Sequence, residues 1–429
     1  MSDSPAVTPT KYSFKHDRRA FWLNVTNGMF FTFSSTLMDP TLVLVLFVSQ
    51  LTASNFLIGA VSTIGSAGWF LPQLFISGWI QSQPRQLPIY KNVARIRVLS
   101  WLLLVAAIWL VQDTTLLLIA FYVTYVIMNL MAGLAGIPFM EVMAKTISPE
   151  RRGRLFGLRM FLGGLFGLLG SRVVKWALQS SIPYPRNYAL LIFIALLIGL
   201  FGLVIFSLTH EPEGPTRKAA SLTEQFQRGG QALRANHNYR YLLVGRSFLF
   251  LGFIAIPFYT VLARQVLGAP DEVVGDYLAL TTLTALLGNY PWGWLLDRKG
   301  MRWGLRIASL SWVLTTFLGL AIWWAAQSGW LAELPFPAYF IAYPLFFLRG
   351  LFAPVGHVAG LNLLLEIAPT DDRSLYLGFS NTLLGGVLLF STLGGALMDL
   401  LGIQVLFLLT IVVNLVACYF FGRIGAAGD

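Results

Sequence analysis

Residues 188–207 read YALLIFIALLIGLFGLVIFS, a stretch of 20 positions without a charged side chain. A helix of that length rises about 30 Å, which is the thickness of the hydrocarbon core of a bilayer. No soluble helix needs to be apolar on every face over this length. The stretch therefore predicts a transmembrane helix, and the rest of the chain repeats the pattern.

The composition excludes several other classes of protein. Charged residues are 11% of the 429 positions, hydrophobic residues are 56%, and the mean hydropathy is +0.69. Soluble domains carry about 25% charged residues, so a soluble protein is excluded. One cysteine, Cys418, and four histidines predict no disulfide framework, no metal site and no cofactor. What remains is an all-α polytopic membrane protein.

Twelve stretches are long and apolar enough to cross a bilayer, and their bounds are set by polar clusters between them. The predicted spans are 20–49, 55–81, 92–112, 115–143, 155–178, 188–208, 241–267, 273–296, 304–327, 336–366, 375–401 and 403–422. The stretch that follows the polar residues 1–19 is too long for a signal peptide, so we keep it as the first span.

The positions of lysine and arginine predict the orientation. Most of the 30 basic residues lie in the N-terminal tail, after even-numbered spans, or at the C-terminus. The positive-inside rule then places both termini in the cytoplasm, in a bacterial inner membrane. The net charge of +11 faces anionic lipid, so the basic composition does not require a nucleic-acid partner.

The chain divides into two halves of six spans. We predict a tail at 1–19, a bundle at 20–208, a cytoplasmic loop at 209–240, a second bundle at 241–422 and a tail at 423–429. Internal repetition supports this division, because the sequence 147–149 after the fourth span resembles 367–369 after the tenth. The third, sixth, ninth and twelfth spans have apolar cores and are predicted to face lipid.

Residues 293–302 read GWLLDRKGMR and resemble the G-x-L-x-D-R-x-G-x-R/K signature of the major facilitator superfamily. The resemblance implies a major facilitator fold, with twelve transmembrane helices in two pseudo-symmetric six-helix bundles and a secondary transport function. The counterpart in the first half, 78–85, has Ser82 and Gln83 where Asp and Arg are expected. The motif residues are Gly293, Asp297, Arg298, Gly300 and Arg302.

The superfamily uses this motif as a cytoplasmic gate, and the local physics agrees with that role. Asp297 can face the positive N-terminus of a neighbouring helix, which we expect to be the eleventh span. Arg298 and Arg302 can bridge to Asp371 or Asp372. The alternative is an ordinary basic loop that obeys the positive-inside rule.

Asp39 is a candidate coupling group within the first span. An acid at that depth costs about 2.5–3.5 kcal/mol on insertion scales, and it directly precedes Pro40. The matching position in the seventh span is Ile256, before Pro257. Both halves therefore have the proline, which we interpret as a structural kink, and only the first half has the acid. Asp39 is either a proton or cation site, or an interior carboxyl that neighbouring groups satisfy.

Arg349 is the corresponding candidate in the tenth span. The repeat offset places it on Asn129 in the fourth span, where the superfamily pattern R-x-x-x-G has arginine and this chain has Asn129 and Gly133. Arginine does not lose its proton in proteins, so Arg349 must find an acid, a carbonyl or an anionic substrate. We expect it to pair with Asp39, directly or through water, or to bind substrate; the alternative is a purely structural pairing.

His357 is a further candidate, because its ordinary titration range suits a proton relay; the alternative is an ordinary interior histidine. Neutral side chains on the first, fourth, seventh and eighth spans could supply hydrogen bonds to a substrate. They are Asn27, Tyr125, Tyr259 and Asn289.

These features favour a secondary active transporter that moves a small molecule by alternating access, coupled to protons, with export slightly favoured over uptake. We expect it to act as a monomer in the lipid bilayer. No catalytic constellation is present in the sequence, so we do not expect an enzyme. The alternative is a non-transporting membrane assembly factor or receptor on the same fold, which would not need charges at mid-membrane depth.

Overall fold

The computed structural model describes residues 14–73, 75, 80, 82–214, 216, 221–369 and 372–425. Its described residues are nearly all helical. The α-helices are α1 Phe14–Leu37, α2 Val43–Leu51, α3 Asn55–Phe70, α4 Leu87–Leu110, α5 Thr114–Thr146, α6 Pro149–Gln179, α7 Arg186–Ser207, α8 Leu222–Ala235, α9 His237–Leu251, α10 Ile256–Val261, α11 Val273–Lys299, α12 Met301–Gln327, α13 Tyr343–Ile367, α14 Arg373–Phe390 and α15 Leu393–Gly422.

Eight helical stretches among the described residues are long and apolar enough to cross a membrane. The predicted first, second and eighth spans are also helical. The first is interrupted between α1 and α2, and the second is the short helix α3. The eighth is α11, which carries many polar residues. The predicted eleventh and twelfth spans join within one long stretch that turns at Gly402, whose φ of +80° a glycine adopts without strain. The all-helical membrane fold is confirmed, and the count of twelve stays a prediction.

Two helices are broken inside the protein. The first breaks between α1 and α2, at residues 38–42, where Asp39 and Pro40 lie. Proline has no backbone N–H and cannot continue the hydrogen-bond ladder. The chain after α9 passes through a 3₁₀ turn, Gly252–Ala255, into the short α10, which has Pro257 in its first turn. Both halves therefore carry a proline break in their first helix.

Helices of the first half pack chiefly on one another, as do helices of the second half. The two halves meet along three seams, which join α6 to α11, α3 to α14 and α15, and α2 and α3 to α10. Helices α4 and α7 pack within the first half. We call the end where α1, α4 and α6 begin the basic end, and the end where α3, α5 and α11 begin the Asp276 end.

A buried acid ties the basic end of the first half together. The Glu211 carboxylate accepts hydrogen bonds from the backbone N–H groups of Gln86 and Leu87 at 2.7–2.8 Å, and it pairs with Lys145 Nζ at 2.8 Å. Its side chain is only 1% exposed. A negative group at the start of α4 satisfies N–H groups that have no partner inside the helix, so Glu211 caps α4 and joins it to α5.

Two sequence expectations need correction. The third span was predicted to begin at residue 92, but α4 begins at Leu87. Arg97 therefore lies about 15 Å inside the helix and not at its end. The predicted loop 209–240 contains α8 and the start of α9. Gly78, Trp79 and Asp371, which entered the repeat and gate arguments, lie outside the described residues.

Candidate transport site

The break between α1 and α2 is organised by Asp39. Its Oδ1 accepts hydrogen bonds from the backbone N–H of Thr41 and of Leu42, both at 2.8 Å, and from the Thr41 hydroxyl at 2.5 Å. Such bonds replace the partners that the backbone N–H groups at a helix start lack. Asp39 thus caps the segment that leads into α2. This is the structural role that the sequence analysis named as the alternative to a proton or cation site.

Side chains from three other helices reach the same break. Ser62 of α3 donates to the Pro40 carbonyl at 2.8 Å. Thr260 of α10 donates to the Thr41 carbonyl at 2.9 Å, and Arg349 of α13 donates through Nη2 to the Thr41 hydroxyl at 2.5 Å. The last two contacts cross between the halves, so the broken helix is a polar junction in an otherwise apolar interior.

Thr41 connects the two predicted charges. Its hydroxyl donates to Asp39 and accepts from Arg349, so acid and base are joined through one oxygen. No direct ion pair between them is present in the described chain. The second guanidinium nitrogen, Nη1 of Arg349, is buried and has no hydrogen-bond partner. An unsatisfied charged donor is costly in the interior, so this nitrogen is free to bind an acceptor.

A small cavity, about 320 Å³ when its open mouth is included, lies beside the junction, between the halves. Its polar wall comes from Thr41, Ser62, Thr63, Ser66 and Ser391. Its apolar wall comes from the broken helix of the second half and from α14. Hydroxyl groups both donate and accept hydrogen bonds, so the wall can bind a small polar solute.

Polar contacts between the halves concentrate at the Asp276 end. Asp276 of α11 accepts from Lys175 at 2.7 Å and from Arg172 at 3.1 Å, both on α6. Asn55 Nδ2 donates to Asp399 Oδ1 at 2.7 Å. Gln50 donates to Asp271 at 2.7 Å. These contacts hold the two halves together at the Asp276 end.

A tyrosine reinforces the same end within the first half. Tyr184, in the turn between α6 and α7, donates its hydroxyl to the Phe47 carbonyl at 3.0 Å. Burial raises the pKa of Tyr184 above its ordinary value, so the hydroxyl keeps its proton and remains a donor. The contact fixes the end of α2 against the turn.

Helices α6 and α11 separate toward the basic end. Near the Asp276 end a Cβ on Gly275 would lie 2.6 Å from the Cβ of Lys175, and mid-helix a Cβ on Gly164 would lie 2.8 Å from Leu286. Farther on, Gly157 and Gly293 have no atom within 4 Å of such a Cβ, and Tyr290 is 84% exposed. The seam between α6 and α11 is therefore tight at the Asp276 end and open at the basic end, while the seam between α3 and α14 keeps a hydrogen bond of 3.0 Å from Asn381 to Gln73.

Comparison with known proteins agrees with this architecture. Residues 248–426 match the family model described as Major Facilitator Superfamily. The second half of the chain is thus similar to the major facilitator superfamily.

Three solved structures show that the likeness in fold extends over nearly the whole chain. The xylose transporter XylE from E. coli, in a partially occluded inward-open conformation, is 14% identical with a TM-score of 0.68, and the match covers 95% of this chain and 98% of that one. The nucleoside transporter NupG is 12% identical with a TM-score of 0.70, covering 95% and 99%. The human organic anion transporter TETRAN is 17% identical with a TM-score of 0.63, covering 96% and 100%. No curated protein matches by sequence. At these identities the likeness to the three structures shows a shared fold.

The motif that resembles the superfamily signature lies where α11 turns into α12. Gly300, with φ of +84°, links the two helices. Asp297 and Arg302 line a cavity whose other walls come from α11, α12 and the end of α13, including Glu366. No described residue of α14 lines this cavity, and the approach of Asp297 to the start of α14 in the closed state stays a prediction.

The expected bridges of the gate motif are also absent from the described contacts. Asp372 pairs with Arg228 of α8 at 2.7 Å. Arg298 lies over the ring of Trp294, with Cζ 4.0 Å from the centroid, and Arg302 donates to the Ile424 carbonyl at 3.0 Å. Neither Arg298 nor Arg302 pairs with Asp372 among the described contacts, and the bridge that was expected in the closed state stays a prediction.

Most of the predicted neutral groups make bonds within their own half. Asn129 Nδ2 donates to the Tyr125 carbonyl, and the Tyr125 hydroxyl donates to Val61. Tyr259 shares a hydrogen bond of 2.7 Å with Thr316. These side chains satisfy the interior of each half, so they are not free to bind a solute in this conformation.

The other predicted polar groups are less constrained. Asn27 joins α1 to α7 by donating to the Gly202 carbonyl at 2.9 Å. Asn289 is half-buried and His357 is exposed, and neither makes a hydrogen bond within the described part of the chain. Of the predicted site residues, the structure brings together Asp39 and Arg349, and Thr41 joins them.

Three buried or half-buried arginines were missed by the sequence analysis, which counted them with the basic loops. Arg97 lies on α4, Arg159 on α6 and Arg246 on α9. Each is about ten residues inside its helix, deep enough to leave the membrane surface. The sequence did contain a signal for them, because each arginine lies more than two helical turns after the polar loop that precedes it.

Proposed function

We propose that this chain is a secondary transporter that moves a small solute by alternating access between its two halves, around the junction of Asp39, Thr41 and Arg349. The observation that carries the proposal is the buried Nη1 of Arg349, which has no hydrogen-bond partner, on a guanidinium whose Nη2 donates to Thr41 in the wall of the hydroxyl-lined cavity. A carboxylate, carbonyl or hydroxyl oxygen of a solute would satisfy it. Binding there would touch both halves at once.

The asymmetry of the two ends supports alternating access. A carrier must close one end of its central site while the other is open. Here polar contacts join the halves at the Asp276 end, and α6 and α11 separate at the basic end. We propose that the basic end faces the cytoplasm, where the excess of lysine and arginine belongs, and that this conformation is open inward.

We further propose that protons are coupled to transport at Asp39. Protonation would remove the charge that holds the Thr41 hydroxyl, so it would loosen the link to Arg349 across the halves. The proton and the solute would then compete for the hydrogen bonds that link Asp39, Thr41 and Arg349. Export of an amphiphilic solute remains the direction that the sequence favours, and it is the hypothesis to be tested first.

The test uses the purified protein in liposomes with an imposed pH gradient and a pH-sensitive dye inside. The solutes are a panel of carboxylates, sugars and nucleosides, since the structural neighbours include a xylose transporter, a nucleoside transporter and an organic anion transporter. We expect one class to drive proton flux, and the sign of its accumulation reports the direction.

Variants at the junction separate its parts. Asp39→Asn should abolish proton coupling without unfolding the protein, because asparagine caps a helix as well as aspartate does. Arg349→Ala should abolish solute transport, and Arg349→Lys should retain it if positive charge alone is needed. Arg186→Ala, which removes an exposed arginine at the start of α7, is the matched control and should transport normally.

Two results would count against the proposal. Normal transport by Arg349→Ala would remove the central site from the mechanism. A folded wild-type protein that moves no solute and no proton under any gradient would favour the receptor or assembly-factor hypothesis.

A further inference from the structure

A second cavity lies inside the first half, away from the junction between the halves. It measures about 500 Å³ including its open mouth. Its walls come from α1, α3, α4, α5, α6 and α7, all in the first half. Four aromatic side chains line it: Phe31, Trp69, Tyr90 and Phe139. The proposed transport cycle does not use this cavity.

Arg97 enters the cavity from α4. Its guanidinium carbon lies 5.4 Å from the ring centroid of Phe31 and 5.2 Å from that of Trp101. Its Nε is buried and has no hydrogen-bond partner. Aromatic faces attract a cation only weakly compared with water or an anion, so these rings orient the guanidinium without neutralising it.

Arg159 reaches the same cavity from α6. It donates through Nη1 to the Asn24 carbonyl and, at 3.1 Å, to Oδ1 of Asn27. Its guanidinium carbon lies 4.9 Å from the ring centroid of Phe139. All of these partners are neutral, so the positive charge is held in place and left uncompensated.

No acid lines the cavity, and neither arginine takes part in an ion pair among the described residues. Two like charges on one cavity of low polarity repel each other, and burying each of them costs free energy. A negative ligand placed between them would offset both costs. Guanidinium groups are also well shaped to bind carboxylate or phosphate oxygens.

We propose that the cavity of Arg97 and Arg159 binds an anion with an apolar body. The two guanidinium groups hold its carboxylate or phosphate head, and the aromatic rings pack against its body. The aromatic lining fits a flat or acyl body better than a bare inorganic ion, because such a body buries apolar surface there. The site stands apart from the junction of Asp39 and Arg349, so either can exist without the other.

The experiment measures ligand binding by the purified full-length protein in a neutral detergent. The probes are benzoate, its neutral analogue benzamide, and sulfate. Trp69 lines the cavity and Trp101 lies against Arg97, so tryptophan fluorescence reports occupancy and a thermal-unfolding shift confirms it. We expect benzoate to bind, sulfate to bind more weakly, and benzamide to have no effect.

The variants place the binding site. Arg97→Gln and Arg159→Gln should each weaken benzoate binding about tenfold or more, the usual effect of losing a hydrogen bond to a charged group. Arg97→Lys should bind with intermediate affinity, and it carries the test if Arg97→Gln does not fold. Arg246→Gln removes a buried arginine of the second half and should bind benzoate like wild type.

A second experiment distinguishes a lipid head group from a soluble anion as the ligand. Phosphatidylglycerol and phosphatidylcholine are compared in mixed micelles with wild type and Arg159→Gln. A fluorescence change with phosphatidylglycerol alone, lost in the variant, assigns the site to a lipid head group and supports an anion site. A change with benzoate and none with either lipid assigns it to a soluble anion.

Several outcomes would overturn the proposal. Equal binding of benzamide and benzoate would show an apolar pocket without anion recognition. Unchanged benzoate affinity in both glutamine variants would place the anion elsewhere. No response to benzoate, sulfate or phosphatidylglycerol would mean that the cavity takes no anion. None of these results depends on transport, so the transport proposal would stand or fall separately.

Discussion

Replacing Asp276 by asparagine should open the Asp276 end of the molecule. The carboxylate of Asp276 accepts from Lys175 at 2.7 Å and from Arg172 at 3.1 Å, and both partners belong to the other half. Asparagine has nearly the same shape but no charge. The variant therefore weakens two ion pairs between α6 and α11 without changing how the helices pack.

The size of the effect follows from exposure. Asp276 is 20% exposed, while Lys175 is 31% and Arg172 is 64% exposed. Partly exposed ion pairs each contribute about 0.2–1 kcal/mol, so the two together give about 1 kcal/mol. That amount changes an equilibrium constant about fivefold. A state open at this end and populated at about 5% would rise to about 20%.

Spin labels can measure this shift. Cysteines replace Gln179 and Gln327, exposed residues at the Asp276 ends of α6 and α12, in a chain that has Cys418→Ser. Pulsed dipolar spectroscopy then gives the distance distribution between the halves. We expect a longer-distance population to grow in Asp276→Asn.

The matched control is Glu272→Gln, which removes an acid four residues earlier that forms no ion pair among the described residues. It should leave the distances unchanged. An unchanged distribution in Asp276→Asn would refute the gate role of the ion pairs. An equal effect of Glu272→Gln would show that net charge and not these contacts sets the equilibrium.

Two further predictions concern packing and stability. Glu211→Gln should lower the free energy of unfolding by about 2 kcal/mol, measured by thermal unfolding in detergent, because Glu211 is 1% exposed and pairs with Lys145; the same change at Glu213, 68% exposed, should have little effect. Gly275→Ala should force α6 and α11 apart, because its Cβ would lie 2.6 Å from the Cβ of Lys175, and should reproduce the longer spin-label distances; Gly157→Ala, which has open space, should not.

The sequence alone determined the class of the protein, its helices and the main charged residues of the candidate site. Long stretches such as 188–207 have one physical solution in a bilayer, since every backbone group must bond within the helix. The motif at 293–302 added a resemblance to the major facilitator superfamily. Asp39 and Arg349 stood out because a charge at that depth is expensive wherever it occurs.

The tertiary structure decided what those charges contact. Hydropathy fixes that a residue is in a helix but not which neighbour its side chain meets, so only the fold showed Thr41 joining Asp39 to Arg349. Arg97 was hidden by an error of five residues in the start of α4. Such a shift moves a side chain more than one turn, from the membrane surface into the bundle. Partners of this kind come from distant parts of the chain, and no local pattern records them.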